Sequence, residues 1–210
     1  MQRILPLLLI NLLPVACVAL FGWSAFVLLL LYWAENVVVG FFTLVKMLIA
    51  GLAKGPWEIV PTLFYCSFFV VHYGIFCTVH GALIFTFASG FGDDPDLSQL
   101  STLLIGQFLG NAVILTNLFV IVAFHLYLFV AYWFLPGRWR QENTNEIMAS
   151  PYGRIIVIHL TILIGGFITV SLGEPFYMVV LLALLKTLME LGVSVAASQL
   201  PGKAGAPQTA

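Results

Sequence analysis

AFVLLLLYWAENVVVGFFTLVKMLIA, residues 25–50, decides how the rest of the chain is read. A helix of that length is about 39 Å long, more than the ~30 Å thickness of a bilayer's hydrocarbon core. Its only charged side chains are Glu35 and Lys46. Further apolar runs lie on either side, so the stretch belongs to a repeated plan and is not one buried helix of a soluble protein. Of the 210 residues 61% are hydrophobic and 8% charged, which leaves too few polar side chains to coat a water-soluble domain. A bilayer is the solvent that suits this composition.

The apolar runs predict an all-α, six-transmembrane-helix bundle. Its spans lie at about 4–20, 25–50, 58–88, 111–135, 154–172 and 176–200. Residues 1–200 then form one integral membrane domain, and 201–210 a flexible tail. The segment 97–110, apolar but dotted with Ser, Thr and Gln, reads either as an interfacial helix or as the outer part of span four. Arg3 ahead of a leucine-rich stretch resembles a signal peptide, but the residues before Cys17 lack the lipoprotein cleavage pattern. The first span is therefore expected to be retained. Cys17, Cys66 and Cys77 all fall inside apolar runs, and an odd count with no CxxC pair reads as small packing residues.

Orientation follows from Lys and Arg. Arg3, Lys46, Lys54, Arg138, Arg140, Arg154 and Lys203 fall on one side of the six-span plan or its flank. The opposite side carries Asp93, Asp94, Asp96 and Glu174 and no basic residue. Both termini are thus expected in the cytoplasm of a bacterial-type cytoplasmic (inner) membrane. The lipid bilayer is the expected partner, with a homo-oligomer open. A net charge of −1 argues against nucleic acid. The Pro136–Pro151 segment reads as a long polar loop that anchors on anionic headgroups, and the Asp93–Asp96 loop as a solvated acidic turn.

Charges inside a bilayer are costly and normally face the bundle interior. Counting depth places Glu35, Asn36, His72, His125, His159, Lys186 and Glu190 at overlapping central-to-cytoplasmic levels, the expected polar centre. His80 lies about 12 Å further outward than His72. Lys186 and Glu190 are four apart and can neutralise each other on one helix face. Tyr32 is one turn from Glu35 and within reach of its carboxylate.

Several uses of such a centre are open. In a structural network its members hydrogen-bond across helices. In a transition-metal or haem site His72, His125 and His159 would be the ligands, pairing as His72 with His125 or His125 with His159. In a proton-linked small-solute transporter Glu35, Glu190 and the histidines would relay protons. An intramembrane serine hydrolase is disfavoured because no Gly-x-Ser-Gly turn occurs. Whether the protein is an enzyme stays open at this point.

Two segments are more distinctive than single residues: Tyr32-Trp33-x-Glu35-Asn36 and His72-Tyr73-Gly74-x-Phe76-x-x-x-His80. With His159 and the Lys186/Glu190 pair, they make nearly the whole chain resemble an uncharacterised bacterial polytopic membrane family, a domain of unknown function. That resemblance implies a multi-pass membrane protein and lends no activity.

Overall fold

The computed structural model describes residues 24–89, 110–172 and 176–199, with isolated positions 16, 19, 20 and 106. Most of the expected first span, the Asp93–Asp96 loop, most of 97–110, the Glu174 turn and the 201–210 tail lie outside the described residues. Among the described residues the regular structure is all helical. The long helices are α1 (Ala25–Leu52), α2 (Ile59–Ser89), α3 (Ala112–Leu128), α5 (Tyr152–Leu172) and α6 (Phe176–Gln199), with a short α4 (Thr144–Ala149) between α3 and α5.

Local chemistry sets their ends. Gly55 has φ 109°, a left-handed backbone that stops α1, and Pro56 opens the 3-10 turn that feeds α2. Asn111 caps α3, its Oδ1 accepting the Ile114 N–H at 3.3 Å. The end of α3 widens into a π-helical segment, Phe129–Phe134, closed by Leu135 N–H to Val130 O at 3.0 Å. Gly137, at φ 73°, then turns the chain into the Arg138–Arg140 3-10 helix.

The chain divides into two compact units, residues 29–155 and residues 1–28 with 156–210. In the first, Met47, Ala50, Cys66, Phe69, Tyr73, Cys77, Trp133, Ile147 and Ile155 form a buried core. α1 and α2 approach closely at three glycines. A side chain at Gly51 would collide with Thr62, one at Gly40 with Tyr73 and one at Gly81 with Trp33. As the contact moves up α1 it moves down α2 by nearly the same step, so the three seats define one antiparallel register. Close approach at small residues is how helices bind each other where lipid removes the hydrophobic drive.

In the second unit Ile158, Ile162, Met178 and Val179 are buried, and Met178 packs on Gly165 where a Cβ would stand.

Among the described residues four helical stretches are long and apolar enough to cross a membrane: Ala25–Leu52, Pro56–Thr86, Ile114–Phe134 and Thr144–Ile168. Tyr177–Met189 is a shorter apolar helix. Large apolar side chains face outward along these helices, among them Phe64, Val71, Phe119 and Phe167. The 136–151 segment differs from the polar loop expected of it. Its α4 sends Ile147 into the buried core that also holds Met47 and Ala50, because Ile147, Met148 and Trp139 supply an apolar side to an otherwise polar stretch. The apolar helical run that ends at Ile168 accordingly begins at Thr144, ahead of Arg154.

Candidate functional site

In the unit of residues 29–155, Glu35 on α1 faces Arg154 in the first turn of α5, with Arg154 Nη2 2.7 Å from Glu35 Oε2. The approach is close but poorly aligned for a hydrogen bond, so it is an ion pair first. Directionality comes from the neighbouring residue. Arg154 Nε donates to Asn36 Oδ1 at 3.1 Å, and Asn36 Nδ2 donates to Tyr32 O at 2.9 Å. From α2 the Tyr73 hydroxyl donates to the Asn36 carbonyl at 2.9 Å. The Arg154 guanidinium also lies over the Tyr32 ring, 5.2 Å from its centroid. Asn36 is only 1% exposed, so every one of these bonds replaces water that is absent.

α3 contributes His125. Its Nδ1 lies 3.0 Å from the Ile121 carbonyl, which can only accept, so Nδ1 carries a hydrogen. Nε2 is then the nitrogen turned to Glu35, at 3.8 Å from Oε1, beyond hydrogen-bond range. Phe42 stacks on the imidazole at 6.5 Å between centroids.

A second polar contact lies on α2. His72 Nδ1 and the Tyr152 hydroxyl are 2.9 Å apart, with the imidazole stacked on Phe68 at 5.1 Å. Trp33 turns away from Glu35, and its Nε1 donates to Cys77 O at 2.7 Å beside the Gly81 seat. Trp33, Ala34, Val37, Val38 and Leu118 line a shallow apolar notch of about 200 Å³.

Of the residues singled out in the sequence, Glu35, Asn36 and His125 thus come together. His72 reaches Tyr152, two residues from Arg154. His159 and Lys186 belong to the other unit, each half-buried on its helix. The side chain of Glu190 lies outside the described residues. Among the described residues no three His, Cys, Asp or Glu side chains are gathered as metal donors.

A family of unknown function, DUF6498, matches residues 2–207. The chain belongs to the DUF6498 family. No curated protein and no solved structure matches it. Membership in DUF6498 therefore adds no residue roles, and the chemistry of this member rests on its own geometry.

Sequence reasoning missed four contributors. In the sequence Arg154 reads as a flanking topology charge, and Tyr152, Tyr73 and the Tyr32 ring face carry no signal of their roles. One signal pointed to Arg154: Glu35 needs a cation, and Lys46, Arg154 and Lys186 are the basic residues nearest the bilayer interior. Depth counting set Arg154 at the edge and Glu35 at the middle of their spans, which hid the pair. The early start of the apolar helical run at Thr144 removes that conflict.

Proposed function

We propose that this DUF6498 member is an integral protein of a bacterial-type cytoplasmic membrane, with six spans and both termini inside. Its polar centre serves chiefly to fix the packing of α1, α3 and α5. The carrying observation is the Arg154–Glu35 ion pair at 2.7 Å, backed by Asn36. A guanidinium keeps its charge in proteins, so its carboxylate partner has a permanent counter-ion. Such a carboxylate is a poor proton relay, because taking up a proton would strand the arginine charge. It is also a poor metal ligand, since its electron pairs already face a cation. The six-span reading is supported by four membrane-length helices, the shorter apolar helix Tyr177–Met189 and the apolar run at 4–20. The one-sided Lys and Arg support the orientation.

Two measurements test this. Thermal unfolding in detergent compares Arg154→Gln, Glu35→Gln and the double variant. For a structural pair, each single variant costs about 3 kcal/mol because it leaves the other charge unpaired, and the double variant recovers part of the loss. Additive losses would defeat the pairing. Reporter fusions at each terminus test the topology, and a periplasmic C-terminus would remove the six-span reading.

A further inference from the structure

Lys46 presents a different problem from Arg154. It is half-buried on α1, six residues and so about 9 Å inside the end of that helix at Leu52. Among the described residues its ammonium has neither a hydrogen bond nor an ion pair. It lies over the ring of the buried Trp133, 5.8 Å from Nζ to centroid.

The nearby carboxylate is already engaged. Glu142 Oε2 accepts the Trp133 indole N–H at 2.8 Å, and Glu142 Oε1 pairs with Arg138 Nε at 2.9 Å. Arg138 and Glu142 both lie within electrostatic range of Lys46. Arg140 is stacked on Trp139 at 4.3 Å and folded against Gly137. Lys46 and Arg138 thus share one carboxylate, itself already engaged, at the end of α1 and of the π segment. Lys54, at the far side of the α1 turn, is occupied by Asn143 Oδ1 at 2.7 Å.

We propose that Lys46, with Arg138, binds the phosphate of an anionic phospholipid in the leaflet that meets this end of α1. A cation buried without an acceptor at membrane depth is costly, and a phosphodiester oxygen supplies the missing acceptor and charge. Arg138 has guanidinium donors beyond the Nε that Glu142 uses, and its side chain is 53% exposed, so it can close on the same phosphate. The Trp133 ring lies under the Lys46 ammonium, and Trp139 packs against the same core cluster. Basic pockets between helices on the cytoplasmic side are the kind of site that holds anionic headgroups. The inference rests on the membrane reading above and names a ligand for a place that reading leaves without a role.

The test uses the full-length protein in nanodiscs that mix phosphatidylglycerol and phosphatidylcholine, with retained lipids counted by native mass spectrometry. The wild type is expected to retain phosphatidylglycerol over phosphatidylcholine by about fivefold. Lys46→Gln should bring the ratio near one, and Lys46→Arg should keep it. Equal retention of the two lipids by the wild type, or an unchanged ratio in Lys46→Gln, would overturn the proposal. Release of phosphatidylglycerol by millimolar inorganic phosphate would replace the lipid with a soluble phosphate. Lys46→Gln removes a charge with no hydrogen bond or ion pair among the described residues, so it should fold. Its failure to change the ratio would leave the Arg154–Glu35 comparison and the reporter fusions unaffected.

Discussion

Arg154 stands in the first turn of α5 and Glu35 ten residues into α1, yet their charged atoms are 2.7 Å apart. The start of one helix therefore lies beside the middle of another, and between α3 and α5 the chain meets α1 again at Trp133 under Lys46 and at Asn143 on Lys54. Ile147 joins the buried core that also holds Met47 and Ala50. The unit has two charged places, one at Glu35 and one at Lys46, about 16 Å apart along α1.

Asn36 should be the residue on which the first of these places depends. It donates to Tyr32 O, accepts from Arg154 Nε, and offers its carbonyl to Tyr73. Asn36→Leu removes both side-chain bonds and leaves Arg154 Nε without its acceptor, an expected loss of about 2–3 kcal/mol. Tyr73→Phe removes one neutral bond and should cost about 1 kcal/mol. Unfolding in detergent measures both. A smaller loss for Asn36→Leu than for Tyr73→Phe would contradict the arrangement.

The glycine seats predict a contrast within one residue type. Gly51→Ala drives a methyl group into Thr62, and Gly81→Ala drives one into the rigid Trp33 indole at 2.9 Å. Each should lower stability by about 1–3 kcal/mol through overpacking. Gly74 has nothing within 4 Å of its missing Cβ, so Gly74→Ala should be neutral or gain about 0.5–1 kcal/mol from helix propensity. Similar losses at all three positions would mean that the contacts do not set the cost.

Gly137→Ala meets two obstacles, a backbone at φ 73° and the Arg140 guanidinium at 3.0 Å from the new methyl group. A loss of about 1–2 kcal/mol is expected. Gly137→Asn, which tolerates the left-handed region better, should lose less at the backbone. An alanine variant as stable as the wild type would show that the turn can rearrange.

Trp133→Phe keeps the aromatic packing and the ring face under Lys46 but deletes the indole N–H that Glu142 accepts. Since that acceptor is charged, the expected loss is about 1.5 kcal/mol or more. Combining it with Glu142→Gln should cost less than the two single losses together, because both remove the same bond. Strict additivity would place their effects elsewhere.

The helical class was legible because it depends on composition and run length, which Glu35 and Lys46 barely interrupt. Helix ends were legible where punctuation is strong, as at Gly55-Pro56 and Asn111. The partnership of Glu35 with Arg154 was not, because counting depth along each helix assumes that every helix enters at the same level. α4 breaks that assumption with three apolar residues inside a segment that reads as polar on average. His125 near Glu35 was within reach of depth counting, since both residues lie well inside their helices. The Gly40 and Gly51 seats gave no periodic signal, for a glycine facing a partner and one facing open space are the same letter.

Those seats have one more consequence. Trp33, Tyr73 and Thr62 each fill a gap left by a glycine on the opposite helix, so a single-residue insertion inside α1 or α2 rotates every seat past the inserted residue by about 100° and empties it. The tolerance of this hairpin to changes in length is thereby confined to the short connection around Gly55, and an insertion scan across residues 33–81 should show a narrow permissive window there.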